Sequence, residues 1–199
     1  MSNPAPDTGP RAATYDDLLA LPENLVGEIL NGTLHTQPRP APRHAAASTS
    51  LSAVLGGEFD GSYSRAGGWR ILFEPELHLD EDVLVPDIAG WRLPRLATLP
   101  DTAWIELAPD WVCEVLSPST AGRDRVIKQA IYARENVGHL WFVDPLARTV
   151  EVFALDGQPG DDAAGGPRRW TLVTAVEADA EVALPPFESL SFPLARLWA

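Results

Sequence analysis

W-V-C-E-V-L-S-P-S-T-A-G-R-D-R-V-I-K-Q-A-I-Y, residues 111–132, decides the fold. Its first part reads as a buried strand, roughly 110–116, in which every position from 111 on is apolar except Glu114. Val112, Glu114 and Leu116 then share one face, and Trp111, Cys113 and Val115 share the other. Ser117-Pro118-Ser119 makes a turn. From Ser119 or Thr120, either of which can cap a helix, the spacing changes to a helical one that predicts a helix over roughly 120–136. A strand followed by a turn and a helix that must pack back across its own sheet is the unit around which the other segments arrange themselves.

Downstream, Asn136 to Gly138 stops the helix. H-L-W-F-V-D-P (139–145) has the continuous apolar character of a strand buried on both faces. T-V-E-V-F-A-L (149–155) is its expected antiparallel neighbour across the Pro145–Arg148 turn. Residues 156–167 are low in complexity and are expected to form a disordered loop tip. R-R-W-T-L-V-T-A-V (168–176) supplies one more strand. The tail F-E-S-L-S-F-P-L-A-R-L-W-A is expected to pack onto the sheet through Leu190, Phe192, Leu194, Leu197 and Trp198.

Upstream, V-L-V-P-D-I-A-G-W (83–91) and residues 68–80 read as strands, the second interrupted at Pro75. Residues 93–108, broken by Pro94 and Pro100, read as a loop. Ala47, Leu51, Val54 and Leu55 recur at helical spacing in a segment that starts at His44 and stops near Phe59. Asn31-Gly32 is the favoured pair for a type I′ turn, so residues 25–37 are expected to form a β-hairpin. A connector carrying Pro38, Pro40 and Pro42 follows it. Thr14-Tyr15-Asp16-Asp17 has the form of a capping box and predicts a short helix ending at Pro22, with Leu18, Leu19 and Leu21 inward. Residues 1–13 lack apolar periodicity and read as a mobile tail. The expected architecture is one domain, residues 14–199, of the α/β (α+β mixed-sheet) class: a central mixed sheet flanked by helices, with an N-terminal hairpin.

Composition narrows the function. Hydrophobic residues make up 45% of the 199 and charged residues 22%, ordinary values for a globular fold. No stretch approaches the roughly 20 apolar residues that cross a bilayer, and the first residues carry no apolar signal core. The single cysteine, Cys113, excludes an internal disulfide, so a cytoplasmic location is expected. The net charge of −13 opposes nonspecific capture of a phosphate backbone, although 15 Lys and Arg leave room for a local basic groove. No G-x-S-x-G, Gly-rich phosphate loop or C-x-x-C is present, and the four histidines do not have ligand spacing.

Three residues carry chemistry. Glu114 sits among apolar neighbours inside a strand, a costly place unless the carboxylate is paired or metal-bound. The alternative is a structural glutamate satisfied by an arginine or by backbone donors. Asp87 follows Pro86, which cannot donate to a ladder, so it lies at a strand edge or bulge; a plain Pro-Asp turn is the other reading. Lys128 either pairs in solvent with Asp124, four residues before it, or runs its stem inward beside Ile127 and Ile131 toward Glu114. Two carboxylates from adjacent strands would form a hard oxygen site for Mg²⁺ or Mn²⁺, and a nearby ammonium would stabilise charge on a phosphoryl group. His44 is expected as a solvated helix-start residue, with the mouth of the cleft as the alternative. Cys113 is expected as a core thiol.

V-P-D-I (85–88), E-V-L-S-P-S-T (114–120), D-R-V-I-K-Q-A-I-Y (124–132) and V-G-H-L-W-F-V-D-P (137–145) resemble the Uma family of bacterial restriction-endonuclease-like proteins, whose core is of the PD-(D/E)XK nuclease type. The resemblance extends to G-E-I-L-N-G (27–32) and His44, and covers residues from about 14 onward. It implies a restriction-endonuclease-like fold, with Asp87 and Glu114 as metal carboxylates, Lys128 as the positive charge and Glu28 as an upstream acid. It also implies Mg²⁺ (or Mn²⁺) as cofactor, nucleic acid, with DNA foremost, as substrate, and a homodimer as an assembly such nucleases use. One departure stands out. The superfamily's lysine normally lies two residues after the second acid, where this chain has Leu116. Lys128, on the following helix, stands in for it. Glu28 could equally be a surface strand residue facing a basic side chain. A nuclease fold retained as a binding or regulatory module, and hydrolysis of some other phosphoester, are the alternatives to a nuclease.

Overall fold

The computed structural model describes residues 11–62, 67–157 and 168–198. The N-terminal tail before Arg11 and most of the low-complexity loop, residues 158–167, lie outside them. In chain order the elements are α1 (Tyr15–Leu19), β1 (Leu25–Leu30), β2 (Thr33–Pro38), α2 (Pro42–Phe59), β3 (Trp69–Phe73), β4 (Leu77–Leu79), β5 (Asp82–Leu84), β6 (Ile88–Arg92) and β7 (Trp111–Val115). A single helical stretch follows, made of α3 (Ala121–Arg123), a π-helical turn (Asp124–Lys128) and α4 (Gln129–Arg134). Then come β8 (His139–Asp144), β9 (Thr149–Leu155), β10 (Trp170–Glu177), β11 (Glu181–Val182), β12 (Phe192–Pro193) and a 3-10 turn (Leu194–Leu197).

A six-stranded mixed sheet, ordered β10-β9-β8-β7-β6-β3, is the backbone of the molecule. Only β7 and β8 run parallel, as a strand–helix–strand crossover requires; the remaining pairs are antiparallel. The alternation expected for β7 holds. Trp111, Cys113 and Val115 join α2 and the C-terminal Phe187, Phe192, Leu194 and Leu197 in one core. Val112 and Leu116 join Ile131, Tyr132, Leu140 and Phe142 in the core on the other face.

The expected hairpin forms, with Asn31 and Gly32 at positive φ as a type I′ turn demands. It does not join the central sheet. It lies in a second, four-stranded sheet ordered β2-β1-β5-β4. The cause is a long hairpin that bends. Its inner arms, β3 and β6, stay in the six-stranded sheet, and its outer arms, β4 and β5, cross into the second. Each arm breaks at a proline, Pro75 in one and Pro86 in the other, where no N–H is available to continue the ladder. A bond from Glu74 N–H to the Asp87 carbonyl, at 3.0 Å, closes the crease. Each of the two strands read from the sequence on either side of Asp80-Glu81 is therefore a pair of strands in different sheets.

Smaller departures have local causes. The second helix starts at Pro42 rather than His44, because proline fits the first turn, where no N–H partner is needed. The capping box of Thr14 and Asp17 forms, but Leu19 faces solvent, since so short a helix buries only part of its girth. Thr120 occupies the N-cap position without a side-chain cap bond. No helix among the described residues is long and apolar enough to cross a membrane.

Candidate active site

The crease between the two sheets and the turn after β7 together wall a cavity of about 250 Å³. Four elements bring chemistry to it. Asp87 sits in the crease itself, released from both ladders. Glu114 stands on β7, on the face that looks toward the helical stretch. Glu28, on β1, meets the Lys128 ammonium from the second sheet without lining the cavity itself. Lys128 ends the π-helical turn and points inward.

The chain's only lysine is thus the charge at the centre of the site. Lys128 is 2% exposed. Its Nζ lies 2.7 Å from Glu114 Oε1 and 3.0 Å from Glu28 Oε1, and it donates to the Val85 carbonyl at 3.3 Å. Asp124 Oδ1 is 4.0 Å away on the same helical face and is also buried. The solvent-exposed Asp124–Lys128 pair is therefore excluded. Both residues face inward. Tyr132 donates its hydroxyl to Glu114 Oε1 at 2.6 Å. Glu28 accepts the Val85 N–H at 3.0 Å, while its Oε2 lies 3.6 Å from Arg123 and accepts no hydrogen bond among the described residues. Arg123 in turn donates to Gln37 of the hairpin.

The π turn accounts for the inward stripe. In an α-helix, residues four apart drift about 40° around the axis, so Asp124 and Tyr132, eight apart, would diverge by about 80°. A wider π turn between Asp124 and Lys128 takes back much of that drift. Asp124, Lys128 and Tyr132 then meet the same cluster. Their spacing of i, i+4, i+8 on a helix following Glu114 is the signal that could have identified Asp124 and Tyr132 from the sequence.

Asp87 lies beside this cluster, on the same cavity wall. Its Oδ2 accepts the Val115 N–H at 2.7 Å, tying the crease to the end of β7. Its Oδ1 is 2.5 Å from His44 Nε2. His44 is therefore no solvated helix-start residue. The two extra residues at the front of α2 make it the third residue of the helix, and its ring turns into the cavity, with 13% of the side chain exposed. The sequence carried no signal for this pairing, which joins residues 43 apart.

The electrostatics follow from burial. Glu114 is pushed well above the usual carboxylate range, first by desolvation and then by Asp124, Asp87 and Glu28; only Lys128 opposes the shift. Burial works to lower Lys128, but Glu114, Glu28 and Asp124 outweigh it and hold the ammonium above its ordinary value. Desolvation likewise raises Asp124 and, with Glu114, raises Tyr132 far above a normal phenol. Burial also lowers His44, yet the hydrogen bond and charge of Asp87 raise it overall. Cys113, on the opposite face of β7, is a buried core thiol pushed up by desolvation.

Three carboxylates surround the ammonium, with Arg123 3.6 Å from Glu28, and Asp87, paired with His44, adds a fourth carboxylate. These are hard oxygen donors suited to Mg²⁺ or Mn²⁺. Among the described residues, no three His, Cys, Asp or Glu side chains stand close enough to close a metal cage by themselves. Mg²⁺ does not require one, because it is commonly held by one or two carboxylates and keeps water or substrate oxygens at its other positions. Asp87 and Glu114, both lining the cavity, fit that mode.

A family model named Uma2 and described as "Putative restriction endonuclease" matches residues 13–195. No curated protein matches the chain. Among solved structures, a crystal structure described as "a putative nuclease belonging to DUF820", from Anabaena variabilis, shares the fold with a TM-score of 0.68 at 23% identity. That match covers 94% of this chain and 97% of the other. With its bent hairpin, mixed sheet and inward-facing helix, the chain has a restriction-endonuclease-like fold and belongs to the Uma2 family.

Proposed function

We propose that the protein is a divalent-metal-dependent nuclease that hydrolyses nucleic-acid phosphodiester bonds, with DNA as the first substrate to test. One observation carries the reading: Glu114 and Glu28 converge on the buried Lys128 ammonium, on the wall of a cavity that also holds Asp87. In this reading Asp87 and Glu114 hold Mg²⁺ or Mn²⁺. The bound ion supplies a polarised phosphoryl oxygen and an activated water.

The protein's own groups divide the remaining work. Lys128 Nζ keeps its proton, so it acts as a fixed positive charge facing the phosphoryl group and is no general base. Tyr132 and Lys128 both hold Glu114 Oε1 and fix its orientation. His44 and the Val115 N–H do the same for Asp87. Glu28 and Asp124 hold the ammonium in place from the far side. All of these groups come from one chain, so the chemistry as proposed needs a single copy.

Purified protein with Mg²⁺ or Mn²⁺ is expected to nick or degrade DNA, and Asp87→Asn and Glu114→Gln are each expected to lower the rate by at least 100-fold. Equal activity in wild type and both variants would identify a contaminant and defeat the proposal. A non-catalytic nuclease-fold module is the second reading. It is favoured by the engagement of both Asp87 oxygens, one with His44 and one with a backbone N–H. Calorimetric titration with Mn²⁺ separates the two, since absence of binding at millimolar metal favours the module.

A further inference from the structure

We infer, resting on the nuclease reading above, that the substrate is single-stranded nucleic acid, one unstacked base of which lies in an apolar groove beside the catalytic cavity.

The groove has a volume of about 390 Å³ and continues from the cavity, with which it shares Ala41, His44, Ser117 and Pro118. Its own walls are Pro42, Leu116, Pro145 and Leu146, with Arg43 at the rim. Leu146 is 56% exposed although it is a large apolar side chain at the edge of a charged site. The apolar wall of Pro42, Leu116, Pro145 and Leu146 suits the face of a base, while the polar groups, Arg43, His44 and Ser117, stand at the rim and at the end shared with the cavity. In a duplex those faces are buried in the stack, so only an unpaired base can reach such a wall.

The distribution of arginine points the same way. Arg70, Arg95, Arg125, Arg134 and Arg148 each hold a carboxylate. Arg39 and Arg43 stand on either side of Pro40-Ala41-Pro42, one lining the cavity and one the groove. Neither has a carboxylate partner among the described residues. Arg39 donates only to the Glu23 carbonyl. On a chain of net charge −13, two exposed guanidiniums bracket the junction of cavity and groove. That is enough for the phosphates flanking one nucleotide and far from the basic surface that holds a duplex. With two phosphates neutralised, the logarithm of the binding constant is expected to fall with the logarithm of salt at a slope of about −1.4 for a single strand.

The test uses fluorescein-labelled oligonucleotides and the Glu114→Gln variant with Mg²⁺, read as binding by anisotropy. The arms are a single-stranded DNA, the same strand annealed to its complement, an RNA of the same sequence, and DNA strands with one abasic spacer moved along the chain. Tenfold or tighter preference for single strand over duplex, with a spacer position that weakens binding at least fivefold, is the expected result. Leu146→Asp, at a largely exposed position, is expected to weaken single-strand binding and to raise KM in the wild-type background with kcat little changed. Duplex bound as tightly as single strand, indifference to the spacer, or no binding of any oligonucleotide overturns the inference. The RNA arm decides which sugar the groove accepts. Single-strand binding without cleavage by the wild-type protein under any metal would instead defeat the nuclease reading, and the groove would stand as a binding site for an unpaired base with no substrate role.

Discussion

Replacing Lys128 by methionine keeps an unbranched side chain one atom shorter and removes the charge. The ammonium lies 2.7 Å from one carboxylate and 3.0 Å from another. At an effective dielectric of about 20 those contacts are worth about 6 and about 5.5 kcal/mol before the cost of dehydrating the ammonium, which is several kcal/mol. The variant also leaves Glu114 buried without the ammonium that pairs with it, and leaves Glu28 with Arg123 alone, 3.6 Å away. Breaking a buried pair in this way costs about 3–5 kcal/mol, which for a chain of this size lowers the melting temperature by roughly 6–20 °C. The loss depends on pH. Glu114 already sits above the usual carboxylate range, from burial first, and Lys128 is what lowers it. Removing Lys128 raises it further, so the folded variant holds this proton to higher pH than the folded wild type does, and over that interval the variant loses up to about 1.4 kcal/mol per pH unit relative to the wild type as pH rises. Urea unfolding followed by tryptophan fluorescence at pH 5.5 and pH 8 is the assay. A larger loss at pH 8 is expected, with partial recovery when Glu114→Gln is added. A loss under about 1 kcal/mol at pH 8, or the same loss at both values, would refute the buried-pair account.

Three further outcomes are expected. Tyr132→Phe deletes a buried hydroxyl whose hydrogen bond to Glu114 spans 2.6 Å, and should cost about 2 kcal/mol in urea unfolding; an unchanged midpoint would mean the bond contributes nothing. His44 is raised above its ordinary value of 6.5 by Asp87, against the lowering effect of burial, so the stability it contributes is complete below pH about 6.5 and is lost as pH rises through its folded-state value. The stability gap between wild type and His44→Gln should therefore narrow from pH 6 to pH 9, and a gap that widened would reverse the assignment. Mn²⁺ should raise the melting temperature of the wild type and leave that of the Asp87→Asn/Glu114→Gln double variant unchanged; equal shifts in both would place the ion elsewhere.

The pieces whose cause is local were legible in the chain. The Asn31-Gly32 hairpin, the Thr14–Asp17 capping box, the two faces of β7 and the strand–helix–strand unit around Glu114 all follow from periodicities and turn chemistry within a few residues. The sequence also nominated Asp87, Glu114, Lys128 and Glu28. It left open whether Lys128 looked inward and whether Glu28 lay on a surface, because an i, i+4 pair and an alternating strand read the same either way. Packing between distant segments settles both. The prolines at 75 and 86 mark breaks, but nothing near them says that the chain leaves one sheet for another there. That crossing frees Asp87 from a ladder and brings β1, with Glu28, over the helix that carries Lys128. His44 meets Asp87, and Asp124 is buried, through contacts between segments far apart in the chain. Their energies depend on burial and charge at distances set by packing, which no local pattern encodes.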